Sequence, residues 1–185
     1  MPAPLFVTFS AGSTGPWRIE RISAVVGESL ASAPRLMITE APAFVGRASN
    51  NVWALRGATG NTRYTTKAEV AALGAKQEGL GRAAATCAAL IPIRKLEAWW
   101  ALAQDERRAI FEDTSRHIAI GLDYLPGVAR RLHHARELGE PFDFLTWFEY
   151  APDQADAFED LVARLRATEE WAYVEREVDV RLVKI

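Results

Sequence analysis

The sequence predicts an α+β fold in which helices cover one face of a β-sheet, and three consecutive segments near the carboxyl end predict it. Residues 142–150 form an aromatic run that is apolar on both faces, which is typical of a strand covered on both sides. Residues 153–166 repeat apolar side chains at helical spacing. Residues 174–183 alternate apolar with charged side chains, as a half-buried strand does.

The first half of the 185-residue chain predicts strands joined by turns. Four segments have the composition of strands: 5–9, 17–26, 35–39 and 51–56. Thr66 is expected to cap a helix that continues to about residue 80, because Gly79 and Gly81 then end the helical pattern. We place a boundary near residue 85, which divides the chain into halves of residues 1–85 and 86–185.

The second half begins with an apolar run over residues 85–92, followed by helical patterns. Helices are predicted over three ranges: 96–103, 106–122 and 128–137. Pro126 and Gly127 separate the last two, because proline removes a hydrogen-bond donor and clashes with the preceding turn. Gly139 is expected to end the third helix.

The composition is that of an ordinary globular protein, with 49% hydrophobic and 25% charged residues. A net charge of -2 gives no support for a nucleic-acid or anionic-membrane partner. Cys87 is the only cysteine, so an intrachain disulfide is excluded. Neither a signal-peptide pattern nor an apolar run of roughly 20 residues is present, so we expect a soluble, cytoplasmic protein.

The chain has three histidines, of which His117 is the best candidate for a metal ligand. It lies in a predicted helix among apolar neighbours, and Gly121 follows one turn later, where a flat ligand could approach the backbone. A helix histidine that binds nothing is the more common outcome for such a pattern, and both interpretations stay open. His133 and His134 lie among arginines and are expected on a solvated, basic helix face.

Arg130 is the second candidate, because a guanidinium is a permanent cation whose directional donors suit a small oxyanion. The break at Pro126 leaves it free to address the opposite face of a planar cofactor from His117. A surface arginine is the simpler interpretation, and spacing alone favours it. Other chemistries are poorly supported, since G-x-S-x-G, H-E-x-x-H, a P-loop and a glycine-rich dinucleotide fingerprint are all missing.

The stretch from residue 91 to residue 182 resembles the chlorite dismutase family. The matching segments are IPIRK at 91–95, WW at 99–100, QDERRAIFE at 104–112, YLPGVARRL at 124–132, LGEPFDFLTWFEYAP at 138–152 and RATEEWAYVEREVDVRL at 166–182. QEGLGR at 77–82 also fits, whereas the remainder of the first half matches more loosely. The small first half resembles the short, dimeric form of the family, which implies a homodimer.

The resemblance implies two ferredoxin-like halves, with a haem b in the carboxyl-terminal half. His117 matches the proximal ligand of the haem iron, and Arg130 matches the distal arginine. The absence of C-x-x-C-H predicts that the haem is held without covalent links. A carboxylate at Glu170, which we prefer over Glu169, would accept a hydrogen bond from the ligand histidine and make it a stronger donor.

Four further residues match family positions around the cofactor. Lys95 matches a position near a haem propionate, and Trp99 and Trp100 match aromatic residues that pack around the haem. Gln77 matches a residue that can hydrogen-bond the mobile distal arginine. These assignments follow from the resemblance alone.

The implied activity is that of a chlorite O2-lyase, which converts chlorite to chloride and molecular oxygen. Arg130 would hold the hypochlorite formed by the first Cl–O cleavage, so that it recombines before it escapes. One alternative is another haem enzyme of the superfamily, either a coproheme decarboxylase or a peroxidase. The decarboxylases lack the distal arginine, so Arg130 counts against them. A non-catalytic haem-binding protein is the other alternative.

Overall fold

The computed structural model describes residues 4–43, 50–60 and 63–185. Its strands are β1 (Phe6–Gly12), β2 (Trp17–Val26), β3 (Arg35–Ala41), β4 (Trp53–Ala58), β5 (Cys87–Lys95), β6 (Val128–His134), β7 (Phe144–Tyr150) and β8 (Val174–Lys184). Within the described residues these eight strands form a closed barrel in the order β1-β3-β2-β8-β5-β7-β6-β4, and every neighbouring pair is antiparallel.

All the α-helices except the first lie between strands of the second half of the chain. They are α1 (Lys67–Lys76), α2 (Glu97–Ala101), α3 (Gln104–Arg108), α4 (His117–Asp123) and α5 (Ala155–Arg166). A π-helical turn, Ala109–Thr114, joins α3 to α4, and the 3-10 segment Glu169–Tyr173 precedes β8. Among the described residues, no helix has the length and apolar character needed to cross a membrane.

The barrel consists of two sheets that meet at short seams. The sheet β3-β1-β4 comes from the first half, and the sheet β2-β8-β5-β7-β6 is mostly from the second. In the described part of the chain, β2 pairs with β3 only through Trp17 and Arg18, and β4 pairs with β6 only through Ala58. The barrel is therefore closed by few hydrogen bonds at these seams and depends on its packed interior.

Two apolar cores stabilise the fold: one lies inside the barrel and joins the two halves, and the other lies outside it. Phe9 and Trp147 belong to the inner core. Phe148 belongs to the outer core, where the sheet packs against Phe158 and Leu161 of α5. Because side chains alternate along a strand, β7 contributes to both cores. This confirms the strand predicted to be covered on both faces, and α5 and β8 confirm the helix and strand predicted after it.

The helix predicted over residues 128–137 was wrong, because this segment is strand β6 followed by a short 3-10 turn. The expected solvated helix face at His133 and His134 was wrong as well, since both residues are buried. Strand β6 places alternate residues on its two faces, and the adjacent arginines at 130 and 131 obscure that period in the sequence. His133 faces the barrel interior, where its Nδ1 lies 2.9 Å from the carbonyl oxygen of Leu145.

The helix predicted over residues 106–122 is interrupted, and the helix predicted from Thr66 is shorter than expected. Arg116 has a φ of 55°, in the left-handed region, and separates the π-helical turn from α4. Thr66 does cap α1 through the amide of Glu69, but the helix ends at Lys76 and Gln77 is its C-cap. The break at Arg116 lies directly before His117, so it sets where α4 begins.

Candidate active site

A cleft lies between the outer face of β5, β6 and β7 and the layer formed by α4 and the 3-10 segment. Two adjoining cavities of about 610 Å³ and 420 Å³ share Ile93, His117, Thr146 and Trp171 in their walls. The lining of both cavities is largely apolar, as it is in most small-molecule sites, and it therefore suits a bulky planar ligand.

His117 is the first residue of α4 and lines both cavities. Its Nδ1 lies 2.7 Å from Oε2 of Glu170. The rings of Phe111 and Trp171 lie nearly parallel to the imidazole, with centroid distances of 4.5 Å and 6.2 Å. Because a carboxylate can only accept, the neutral tautomer carries its proton on Nδ1 and keeps the lone pair of Nε2 for a metal.

Glu170 is buried at the centre of a hydrogen-bonded group. Its Oε1 accepts from Nζ of Lys95 at 2.7 Å, and its amide donates to Oγ of Ser115 at 3.0 Å. Burial raises the pKa of Glu170, but electrostatic attraction to His117 and Lys95 and the hydrogen bonds that both donate outweigh burial and lower the pKa to about 2. Glu169 is exposed, so the carboxylate that contacts the histidine is the one the resemblance favoured.

Lys95 ends β5 and is bound to Glu170, although the resemblance implied a position near a haem propionate. Its side chain is only 3% exposed, and its ammonium lies 4.6 Å from the ring centroid of Trp99. In this arrangement the cation balances the buried carboxylate. A contact between Lys95 and a propionate remains a prediction.

The two tryptophans of α2 lie behind the cleft, and neither is among the described residues that line its two cavities. Trp99 is fully buried, and its Nε1 lies 3.2 Å from the hydroxyl oxygen of Tyr64. The ring of Trp100 stacks on Phe144, which does line the cleft. Both tryptophans thus support the wall through a neighbour, and their packing around a cofactor stays a prediction.

Arg130 extends from β6 into the smaller cavity and packs against the backbone of α4 at Gly121. A Cβ atom at Gly121 would lie 2.4 Å from Nη1 and 2.8 Å from Cζ of the guanidinium. The guanidinium can therefore occupy this position only because residue 121 is a glycine. Burial lowers the pKa of Arg130 and the charge of Glu112 opposes this, yet arginine remains protonated near neutrality. Among the described residues, no carboxylate forms an ion pair with it at 4.0 Å or less.

Gln77 approaches Arg130 through the main chain. Its Nε2 donates to the carbonyl oxygen of Arg130 at 2.7 Å, and the guanidinium is not its partner. Since Gln77 is also the C-cap of α1, it links the end of that helix to β6. Its contact with the arginine side chain, as implied by the resemblance, stays a prediction.

Sequence reasoning missed several residues that shape the cleft. Trp171 donates from Nε1 to Oε2 of the fully buried Glu177 at 2.7 Å, and Arg166 binds the other oxygen of that carboxylate. Ser115 and Glu112 contact main-chain groups next to the candidate site. Trp171 could have been identified, because it is an aromatic residue directly after Glu170. Ser115 and Glu112 could not, because their segment was predicted to be one continuous helix.

The family model of chlorite dismutase matches residues 35–184 of the chain. The chain is also similar to a solved structure of dimeric chlorite dismutases from Nitrobacter winogradskyi. The two are 57% identical, the match covers 96% of this chain and 99% of the other, and the TM-score is 0.88.

A more distant likeness is to a variant chlorite dismutase from Candidatus Nitrospira defluvii in complex with cyanide. It has 20% identity, covers 98% of this chain and 91% of the other, and has a TM-score of 0.70, so it bears on the fold alone. The family model and the Nitrobacter structure each span most of the chain. The chain therefore belongs to the chlorite dismutase family.

Proposed function

We propose that the protein is a haem b-dependent chlorite dismutase that converts chlorite to chloride and molecular oxygen. The observation that carries the proposal is the histidine His117, held by the buried Glu170 in the same cleft that Arg130 enters. The 57% identical relative from Nitrobacter winogradskyi, described as a dimeric chlorite dismutase, supports the same activity. A metal ligand and a cation for an anionic substrate thus occur together.

The residues of the cleft fit a haem held without covalent links. The imidazole offers Nε2, and the hydrogen bond from Nδ1 to Glu170 fixes the ring and increases its basicity as a ligand. Ile91 and Phe148 provide apolar walls on the β-sheet side of the cleft. When bound, the haem would supply the redox-active iron at which the Cl–O bonds of chlorite break.

The protein's own contribution is to hold the small anions and to keep water away. Chlorite and hypochlorite each carry one negative charge, and the guanidinium of Arg130 can donate several hydrogen bonds to either. By retaining hypochlorite in the cleft, Arg130 would allow both oxygen atoms of one chlorite to leave together as O2, with chloride as the other product. Atoms balance, since one chlorite gives one chloride and one O2.

We also propose that the chain has two ferredoxin-like halves and forms a homodimer. The second half has the order strand, helices, two strands, helix and strand, which supports a ferredoxin-like half over residues 86–185 and a shortened one over 1–85. The dimeric relative supports a homodimer. A cytoplasmic location without nucleic-acid or membrane partners stays a prediction from composition.

The test is to reconstitute the purified protein with hemin, record its absorption spectrum and add chlorite over an oxygen electrode. We expect a Soret band, prompt oxygen release and loss of the bound haem in the variant His117→Ala. Lys76→Ala is the control, because Lys76 is an exposed residue of α1. A protein that binds hemin but releases no oxygen would contradict the enzyme assignment. Turnover of coproheme in a parallel assay would favour the decarboxylase alternative.

A further inference from the structure

Helix α4 begins without a side-chain cap of its own. Its N-cap residue, Arg116, is in the left-handed region with a φ of 55°, and its side chain makes no capping hydrogen bond. The first helical residue is His117, so the next two amides, those of Ile118 and Ala119, are the ones that an N-cap side chain normally binds. Ile118 is only 3% exposed, so water cannot easily satisfy its amide.

The carboxylate of Glu112 takes the place of the missing cap. Its Oε2 accepts from the amide of Ile118 at 2.6 Å, and its Oε1 accepts from the amide of Ala119 at 3.2 Å. Glu112 lies in the π-helical turn Ala109–Thr114, which brings a residue six positions before Ile118 back onto the start of α4. A negative charge at this end of a helix is also favourable to the helix dipole.

The turn and the residue directly after it make two other contacts with the side chains around His117. Phe111, the neighbour of Glu112, stacks on the imidazole of His117. Ser115, directly after the turn, accepts a hydrogen bond from the amide of Glu170. The turn therefore connects the start of α4, the imidazole ring and the carboxylate that binds Nδ1. Glu112 is the member of this group whose contacts fix the helix itself.

We propose that Glu112 is a positioning residue for the haem ligand: its carboxylate caps α4 at Ile118 and Ala119 and thereby fixes the place and orientation of His117. The inference rests on the proposed role of His117 in binding haem. Without the cap, the first turn of α4 would fray, and the imidazole would reach the iron from a range of positions. The bond between the imidazole and the iron would then be weaker, and its strength would vary between molecules, although His117 itself is still present.

The test compares Glu112→Ala and Glu112→Asp with the natural protein after reconstitution with hemin. Asp keeps the charge but is one methylene shorter, so we expect an effect between those of Ala and Glu. The matched control is Glu106→Ala, which removes a carboxylate cap from the amide of Ala103 on α3. Asp113→Ala controls for the loss of an exposed charge next to Glu112.

Two readouts separate positioning from general stability: the rate of hemin transfer to excess apomyoglobin, and the iron–histidine stretching band of the ferrous protein. We expect transfer from Glu112→Ala to be about three- to tenfold faster, the change that the loss of one cap predicts. Its iron–histidine band should be shifted or broadened. Both controls should transfer hemin at the natural rate.

The inference is overturned if both Glu112 variants match Glu106→Ala in transfer rate and band shape, even where their melting temperatures fall. If Glu112→Ala does not fold, Glu112→Asp decides alone, and a natural rate and band in that variant overturn the inference. Failure of the natural protein to bind hemin would instead refute the proposed function, so the two failures are distinguishable.

Discussion

Glu170 is a buried carboxylate with two partners that donate hydrogen bonds to it. If either partner were missing, a polar or charged group would remain buried without a hydrogen bond, which is unfavourable. The carboxylate binds Lys95 through one oxygen and His117 through the other. A buried charge is tolerated when it is paired and its hydrogen bonds are complete, and here both oxygens have partners. The imidazole consequently has one favoured rotation and one favoured tautomer, which is the arrangement a metal ligand needs.

Arg130 differs from these residues, because its charge faces the cleft without a paired carboxylate among the described residues. We predict that Arg130→Ala keeps its haem but turns over chlorite about tenfold more slowly, since a charge-assisted hydrogen bond to the anion is lost. It should also inactivate after fewer turnovers, because hypochlorite escapes and oxidises the protein.

An oxygen electrode measures the rate of Arg130→Ala, and the total oxygen released before activity stops measures its lifetime. The variant Arg131→Ala is the control, because Arg131 lies on the opposite face of β6 and binds Glu40 and His133. An unchanged rate and an unchanged oxygen total in Arg130→Ala would remove this arginine from the mechanism.

The elements of the site show which sequence signals were sufficient. Strand β7, helix α5 and strand β8 were predictable because each has one clear period, of two or of 3.6 residues. Strand β6 was mistaken because Arg130 and Arg131 both look exposed in a sequence, although one lies in the cleft and the other faces the barrel. Burial of a long cation depends on its partners across the sheet, and these are not local in sequence.

The candidate site was predictable in part. The family resemblance assigned His117, Arg130 and Glu170 their proposed roles, whereas the sequence pattern alone favoured a helix histidine without a ligand and a surface arginine. Glu112 could not be predicted, because its role depends on the left-handed conformation of Arg116 and on the π-helical turn. No residue type in the sequence identifies either of these two features.

Helix α4 gives a prediction that separates stability from function. Gly121 lies inside the helix, where alanine is favoured by about 1 kcal/mol, but a Cβ atom there would displace the guanidinium of Arg130. We predict that Gly121→Ala unfolds at the natural temperature or slightly higher, while chlorite turnover falls several-fold.

Thermal unfolding and the oxygen electrode give the two measurements for Gly121→Ala. The control is Gly74→Ala in α1, because in the described part of the chain no atom other than those of its neighbouring residues and the backbone of its own helix lies within 4 Å of a Cβ built there. That variant should be stabilised with unchanged turnover. Natural turnover in Gly121→Ala would show that the contact with Arg130 does not matter.

Closure of the barrel depends on a packed interior that includes a buried histidine. Burial lowers the pKa of His133 to about 4, and the charge of Arg131 lowers it as well, while the hydrogen bond to Leu145 opposes the change.

The first-half strands that complete this interior were each predicted from the sequence. Their order around the barrel was not, because it depends on pairings between distant segments.

We predict that the free energy of unfolding decreases as the pH falls from 6.5 towards 4. In that interval the unfolded histidine binds a proton and the folded one does not, so acid favours the unfolded state. The shift corresponds to about 3 kcal/mol at most. Urea unfolding at several pH values measures it, with His133→Gln as the comparison. Equal pH dependence in the two proteins would contradict this role of His133.

The most direct test of the whole account uses chlorite labelled with oxygen-18 in unlabelled water, with the evolved gas analysed by mass spectrometry. If the cleft holds hypochlorite until the O–O bond forms, both atoms of each O2 come from one chlorite, and the gas is almost entirely doubly labelled. In an equal mixture of labelled and unlabelled chlorite, singly labelled O2 should be nearly absent. Oxygen atoms from water, or singly labelled O2 from the mixture, would show that the fragments separate, which would contradict the account.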